Sequence, residues 1–495
     1  MTARAERLIA LLALLFLSLF ALREMTPSPA IKDASETLRM ALNLQRHGII
    51  SIDDAEPYRA SMMREPVPIV TTAVALDLVD EVIGAAEPSE YFSGARVRYL
   101  KFQNLLWLWV LCVSVFTAVR QFTASFWLGL LGAAMAVSPF TWFIPAGLKM
   151  YIGVDSLDTD MAGAALLSAA TMLLSLGVTR RDFVMSAAAS LCFGVLALTK
   201  AAIFYVYPGV LCVIGVYLAV HGRFGRGNAA RSGQVTPGSA VHYAKVAVGA
   251  SLAIPFMLVT SAWLIRNYAD TGFFAIAERG GPVLLYRAFL DDVTPEEYVG
   301  AFSVWGGPYS RRLAGDVTGL GDEDLAAGGR LQRLAMQFSG QAQERELQGE
   351  ELGKPGQTVS WYRKSRAIYN EQLAKYAAEG QRYPSGAADQ ATRNEAIRLI
   401  VGRPIKHALL MIPLLWRGAL MTFPLLVITL IYAWKQDRAD LMVYVLPALV
   451  LVVFYAAATH FSERYGYVSA AEASTCFLVL ASLASSRWFT RRRAS

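Results

Sequence analysis

Residues 153–181 read GVDSLDTDMAGAALLSAATMLLSLGVTRR, and the order of charge and apolar content in them decides the fold. Asp155, Asp158 and Asp160 stand at the head of an apolar run from Met161 to Val178, and Arg180 and Arg181 close it. The run carries no charge and no amphipathic spacing. Crossing about 30 Å of hydrocarbon takes about 20 residues of helix, because only a closed backbone hydrogen-bond ladder survives there. Basic residues mark the cytoplasmic flank of such a span, so the three acids face outward.

The same pattern recurs on both sides. Further apolar runs cover Leu8–Leu22, Leu105–Val119, Phe126–Phe143, Met185–Leu198, Ile203–Val220 and Val246–Leu264, then Leu414–Trp434, Leu441–Ala458 and Ala471–Leu483. The first run reads as an uncleaved span, since no small-x-small cleavage site follows Leu22; a signal peptide is the alternative. With the amino terminus in the cytoplasm, Arg120, Arg223, Arg226, Arg231, Lys435, Arg438 and the final arginines all fall inside. Lys200 is the exception.

The expected fold is an all-α polytopic membrane protein with about ten transmembrane helices and a small α-rich extracytoplasmic (periplasmic) lobe. Residues 1–265 form an N-terminal transmembrane region with outer loops at 23–100 and 139–160. Residues 266–405 are the outer insertion, and 406–495 a C-terminal transmembrane region. Within the insertion, Pro282–Leu290, Leu331–Gln348 and Ser360–Glu379 read as helices.

Composition agrees. Of 495 residues, 55% are hydrophobic and 17% charged, with a mean hydropathy of +0.38; about 25% charged is usual for a soluble domain. Cys112, Cys192, Cys212 and Cys476 sit inside apolar runs, which argues against a disulfide framework or a zinc cluster. The net charge of +7 lies largely in short connections between spans, so nucleic acid is not an expected partner. No internal repeat is apparent.

Candidate chemistry clusters in the outer segments. Asp33 opens a helical pattern of Ile31, Ala34, Leu38, Ala41 and Leu42, where an acid is also a good N-cap. Glu36 follows, then Gly48 and Arg64-Glu65-Pro66-Val67-Pro68, whose prolines predict an extended approach. Asp158 and Asp160 head the run quoted above. Trp263-Leu-Ile-Arg266-Asn267-Tyr268 and His460-Phe-Ser-Glu463-Arg464-Tyr465 lie at two more outer boundaries, and Lys200 at a third. Singly, these are interfacial anchors or caps. Several cations facing several acids on one side point to a site for an anionic ligand.

The order of these pieces resembles the GT-C superfamily of lipid-linked-sugar glycosyltransferases. The branch it is similar to is the protein mannosyltransferase and aminoarabinose-transferase-like group, glycosyltransferase family 39-like. The resemblance rests on Asp33 with Ala41-Leu-Asn43-Leu-x-x-x-Gly48, Arg64-Glu-Pro66-Val-Pro68, Thr159-Asp160, Arg266-Asn267-Tyr268 with Gly272, and Arg403-Pro404 with Glu463-Arg464-Tyr465. Ala34 and Ser35 stand where the family often has an acid, Asp160 where Glu is common, and no proline follows Tyr465 before Ser474.

The resemblance implies inverting transfer of a hexosyl or pentosyl group from a polyprenyl-phosphate-linked donor to a lipid, glycan or protein acceptor. Asp33 is expected as the catalytic base and Asp160 as its partner. Arg64, Lys200, Arg266 and Arg464 are expected to hold the donor phosphate, which favours arginine. Glu36, Asp158, Glu65, Asn267, His460, Glu463 and Tyr465 are expected in support. No cofactor is expected; a divalent metal is the alternative way to hold the phosphate and is not favoured. The expected setting is a bacterial inner (plasma) membrane, with both termini cytoplasmic, the site on the outer face and membrane lipids around it. Competing readings are a transporter or channel for an anionic or lipid-linked substrate, and a non-catalytic GT-C-like assembly protein.

Overall fold

The computed structural model of the protein describes residues 2–137, 153–221, 238–278, 280–305, 308–325, 329–335 and 360–494. Among these, regular structure is helical and no strand occurs. The first half holds α1 (Ala3–Glu24), α2 (Asp33–His47), α3 (Pro66–Ile83), α4 (Gly94–Leu100), α5 (Asn104–Thr123) and α6 (Phe126–Val137). Then come α7 (Asp160–Arg180), α8 (Phe183–Ala197), α9 (Ala202–His221) and α10 (Gly238–Thr271). Among the described residues between 280 and 402 come α11 (Gly280–Phe289), α12 (Pro295–Trp305), α13 (Pro308–Thr318), α14 (Trp361–Ala378) and α15 (Pro384–Gly402). The last are α16 (Pro404–Ala419), α17 (Thr422–Lys435), α18 (Ala439–Ala458), α19 (Glu463–Tyr467) and α20 (Ala470–Ala494).

Among the described residues, five helical runs are long and apolar enough to cross a bilayer: Ala3–Glu24, Gly94–Thr123, Asp160–Arg180, Ala247–Thr271 and Ala439–Ala458. The pair α15 and α16 bends by 103° at its break and makes a sixth only if counted as one span. Leu11, Phe16, Leu131, Val216 and Leu258 are exposed on these and shorter apolar helices. In water so many outward apolar side chains would drive association; in lipid they are solvated. The chain is an integral membrane protein. The ten apolar runs fall on helices in their described residues, except that Leu198 ends its run in a turn and the run Leu414–Trp434 is broken at Leu420–Met421, between the end of α16 and α17. Length alone does not carry the count of ten, because among the described residues the apolar stretches Phe126–Val137, Phe183–Ala197, Thr422–Lys435, Ala202–Val216 of α9 and Ala470–Ser485 of α20 run to 17 residues or fewer.

Helix α7 is the axis of the bundle and packs against α5, α8 and α18. Small residues let its neighbours close in. A Cβ on Gly177 would stand 2.7 Å from the Ser186 backbone nitrogen, so this glycine sets the tight α7–α8 corner. Asp182 then caps α8, accepting from the backbone of Val184 and Met185.

Two expectations change. The prolines of Arg64–Pro68 do not extend the chain but start α3, with Pro66 in the first turn where a missing N–H costs nothing. The helix expected at Leu331–Gln348 shows only a short 3-10 turn, Gln332–Leu334, and residues 336–348 lie outside the described residues. Residues 139–152 of the second outer loop also lie outside them.

The helices between 280 and 402 are fastened to the bundle by a buried ion pair. Arg287 of α11 is fully enclosed and donates to Asp291 Oδ1 at 2.7 Å, to the Ala456 carbonyl at 3.0 Å and to the His407 carbonyl at 2.7 Å. His407 sets its ring nitrogens on Asp291 Oδ2 and the Ala457 carbonyl, both at 2.8 Å. Three segments of chain meet in one satisfied network. Replacing Arg287 by Ala leaves Asp291 short of its main partner, which costs about 3–5 kcal/mol in such settings. The expected outcome is a large fall in the melting temperature of the detergent-solubilised protein, mostly recovered in Arg287→Met/Asp291→Leu; an unchanged melt for Arg287→Ala would remove the network from this role.

Candidate active site

Two helices begin with an acid. Asp33 is the first residue of α2 and Asp160 the first of α7. Local capping would be the simplest use of both, yet each carboxylate is turned on cations from distant segments. Arg64 ion-pairs with Asp33 and, at 2.7 Å, with Glu36 one turn along the same helix. Lys200 reaches Asp160 at 2.5 Å. Arg464 ion-pairs with Asp160 through Nε, with Asp158 at 3.1 Å and with Asp33 at 3.2 Å.

The scaffold explains the convergence. Val67 donates to the Leu198 carbonyl at 3.1 Å and Ala201 to Glu65 Oε1 at 3.3 Å, so the start of α3 is pinned to the turn that carries Lys200. A Cβ on Gly466 would lie 1.8 Å from the Gly418 carbonyl oxygen, so α16 and α19 cross at a glycine pair. That crossing places Arg464 two residues earlier. The neighbouring carboxylates hold the Arg64 and Arg464 guanidinium groups above their ordinary range, overcoming the opposing effect of burial.

Burial separates the two leading acids. The Asp33 side chain is 39% exposed and that of Asp160 only 13%. Asp33 stands at an open rim with two guanidinium groups beside it, while Asp160 is enclosed between Lys200 and Arg464. The arrangement can orient a polar ligand at Asp33 and keep Asp160 ionised.

Other expected site residues lie elsewhere or differently. Arg266 pairs with Asp270 at 2.8 Å, one turn on, and stacks over Trp263 at 4.8 Å. Asn267 is buried and donates to the carbonyls of Ala275 and Ile276 at 2.7 and 3.2 Å, turning the chain as it leaves α10. Asp155, neighbour of Asp158 in sequence, instead pairs with the buried Lys101 at 2.9 Å and accepts from Thr26. Tyr465 sets its ring 5.3 Å from His460 and 4.9 Å from Tyr455. The side chain of Glu463 lies outside the described residues. Two residues that the sequence reading did not place in the site lie beside His460: Arg417 donates to the His460 carbonyl at 3.3 Å, and the Tyr286 ring lies 6.1 Å from that of His460. Arg417 sits in an apolar stretch near a span end, where an arginine reads as an anchor.

No protein-family model matches the chain, and no curated protein matches it. Among solved structures it is similar to the archaeal oligosaccharyltransferase AglB from Archaeoglobus fulgidus, in complex with an inhibitory peptide and a dolichol-phosphate. That likeness covers 98% of this chain and 51% of the other, at 11% identity and a TM-score of 0.45. The chain thus spans about half the length of that protein.

Residues that share one charge network lose energy non-additively when removed. The Asp160→Asn and Lys200→Met changes are expected to couple by about 0.5–3 kcal/mol, the double variant being more stable than the sum of the singles implies. Thermal unfolding of the four proteins in one detergent measures it; strict additivity would mean that the pair makes no net contact in the folded protein.

Proposed function

We propose that the protein transfers a sugar from a polyprenyl-phosphate-linked donor to an acceptor hydroxyl or amide, with Asp33 as the general base. The single observation that carries this is the geometry of Asp33, an open carboxylate set beside Arg64 and Arg464 and next to the enclosed Asp160. In this reading the acceptor loses its proton to Asp33 as its heteroatom bonds to the anomeric carbon. The bond from that carbon to the phosphate oxygen breaks, and the phosphate leaves with the electron pair. The anomeric centre inverts. Asp160, with Lys200 and Arg464, orients Asp33 from behind. The chain is read as a GT-C-like protein, its five further apolar stretches completing about ten spans around the five long ones. The site then faces the extracytoplasmic side, with the helices between 280 and 402 as a lobe above it. The bacterial inner membrane is the proposed setting.

The scheme is written without a metal, with the acids of the group each turned to a cation.

One observation favours a second reading, that of a transporter. Glu472 of α20 is fully enclosed; its Oε1 lies 3.3 Å from Thr171 Oγ1, and its Oε2 has no hydrogen-bond partner within the protein. An enclosed carboxyl inside a membrane bundle is a functional candidate by default.

General-base assistance is typically worth about 10²–10⁴-fold, so Asp33→Asn should lower transfer from a radiolabelled polyprenyl-phosphate sugar in membranes by that order. Equal transfer by variant and wild type would remove Asp33 from the role. Absence of transfer with every donor, together with Glu472-dependent uptake of an anion into vesicles, would favour the transporter instead.

A further inference from the structure

The group around Asp33 is acid-rich. Asp33, Glu36, Asp158 and Asp160 meet Arg64, Lys200 and Arg464, four carboxylates against three cations. Arg266 is likewise engaged by Asp270. Each cation expected to hold a phosphate therefore already faces a carboxylate. Such a group suits a proton acceptor and repels an oxyanion.

Positive charge gathers instead at the adjoining seam, where the helices between 280 and 402 meet the bundle. Arg417 of α16 donates to the His460 carbonyl at 3.3 Å and lies 5.4 Å over the Trp305 ring. Arg366 of α14 lies 5.8 Å over Tyr362, whose ring is 5.7 Å from that of Tyr286. Burial, then repulsion from Arg417 and Arg366, pushes the His460 imidazole down to about 3, with Asp33 acting the opposite way. The ring is therefore neutral at ordinary pH, and it feels both arginines and Asp33 at once.

One polar atom ends in this seam unsatisfied: His460 Nδ1 is buried without a hydrogen-bond partner. The hydroxyl of Tyr286, a residue only 1% exposed, is turned on the Arg417 guanidinium. Buried polar groups are nearly always paired, so the exception marks a place where a ligand atom belongs. Guanidinium, phenol and imidazole together offer the donors that an oxyanion needs.

We propose that Tyr286, Arg366, Arg417 and His460 form an oxyanion-binding subsite beside Asp33, walled on one side by the helices between 280 and 402. The shared chemistry is a phosphate or carboxylate carried by the substrate. Its sources are the phosphate of the lipid carrier or the acid group of an acidic sugar. The nature of the substrate rests on the glycosyl-transfer reading; the binding itself does not.

The test is equilibrium binding to the full-length protein in detergent, with polyprenyl monophosphate and free hexuronate as probes and polyprenol and neutral hexose as controls. Arg366→Gln and Arg417→Gln should each weaken one acidic probe about tenfold or more, the scale of a lost hydrogen bond to a charged group. Tyr286→Phe should weaken the same probe with an unchanged melting temperature, and the neutral controls should not move. A response of polyprenyl monophosphate assigns the subsite to the lipid carrier, and a response of hexuronate to an acidic sugar. If Arg417→Gln fails to fold, the partly exposed Arg366 carries the test. Unchanged binding of both acidic probes, or equal loss of probe and control, overturns the subsite. Arginine-dependent binding without sugar transfer would sink the glycosyl-transfer reading and leave the subsite standing; transfer without such binding would do the reverse.

Discussion

A single guanidinium group organises the centre of this protein. Arg464 meets Asp33, Asp158 and Asp160 at once, which joins the start of α2 to the start of α7. Without it those carboxylates would face one another across a partly dry space, where like charges are costly. Both acid-headed helices also point their positive ends toward the cluster, which favours acids there. The position of Arg464 depends in turn on a backbone contact, because only glycine at 466 allows α19 to lie against the Gly418 carbonyl. A packing constraint thus decides an electrostatic one.

Much of the membrane fold is legible in the sequence because hydrocarbon forces it. An apolar run without charges has few alternatives to a helix when no water can solvate its backbone. The insertion is harder to read, since its helices are short and mixed in character. A usable signal was present all the same: α12, α13 and α15 each begin at a proline, Pro295, Pro308 and Pro384, as do α3 and α16. Proline at a helix start has a fixed φ and no N–H to lose.

The charge cluster at the candidate site was legible in its ingredients and not in its pairings. Asp33 and Arg464 are 431 residues apart and Asp160 and Arg464 are 304 apart, and no local pattern specifies which cation meets which acid. Lys200 and Arg266 look alike in sequence, as lone cations at the end of an apolar run. Lys200 reaches across to Asp160, whereas Arg266 has an acid one turn away at Asp270 and closes on it. Asp155 and Asp158 likewise part company because Lys101 and Thr26 claim the first. Tyr286 and Arg417 were invisible for a different reason: their polar ends matter only where two separate helical layers meet.

The Arg287 network has a consequence for how a ligand arrives. Its hydrogen bonds run to Asp291 and to the backbone of α16 and α18 alike, and breaking a buried pair of this kind costs about 3–5 kcal/mol. On the glycosyl-transfer reading, helices held in this way would wall the candidate site, and a donor dissolved in the bilayer would enter sideways, between helices. Its encounter would then be a search in two dimensions. Its rate follows the number of ligand molecules per area of membrane, whatever the concentration in the surrounding water.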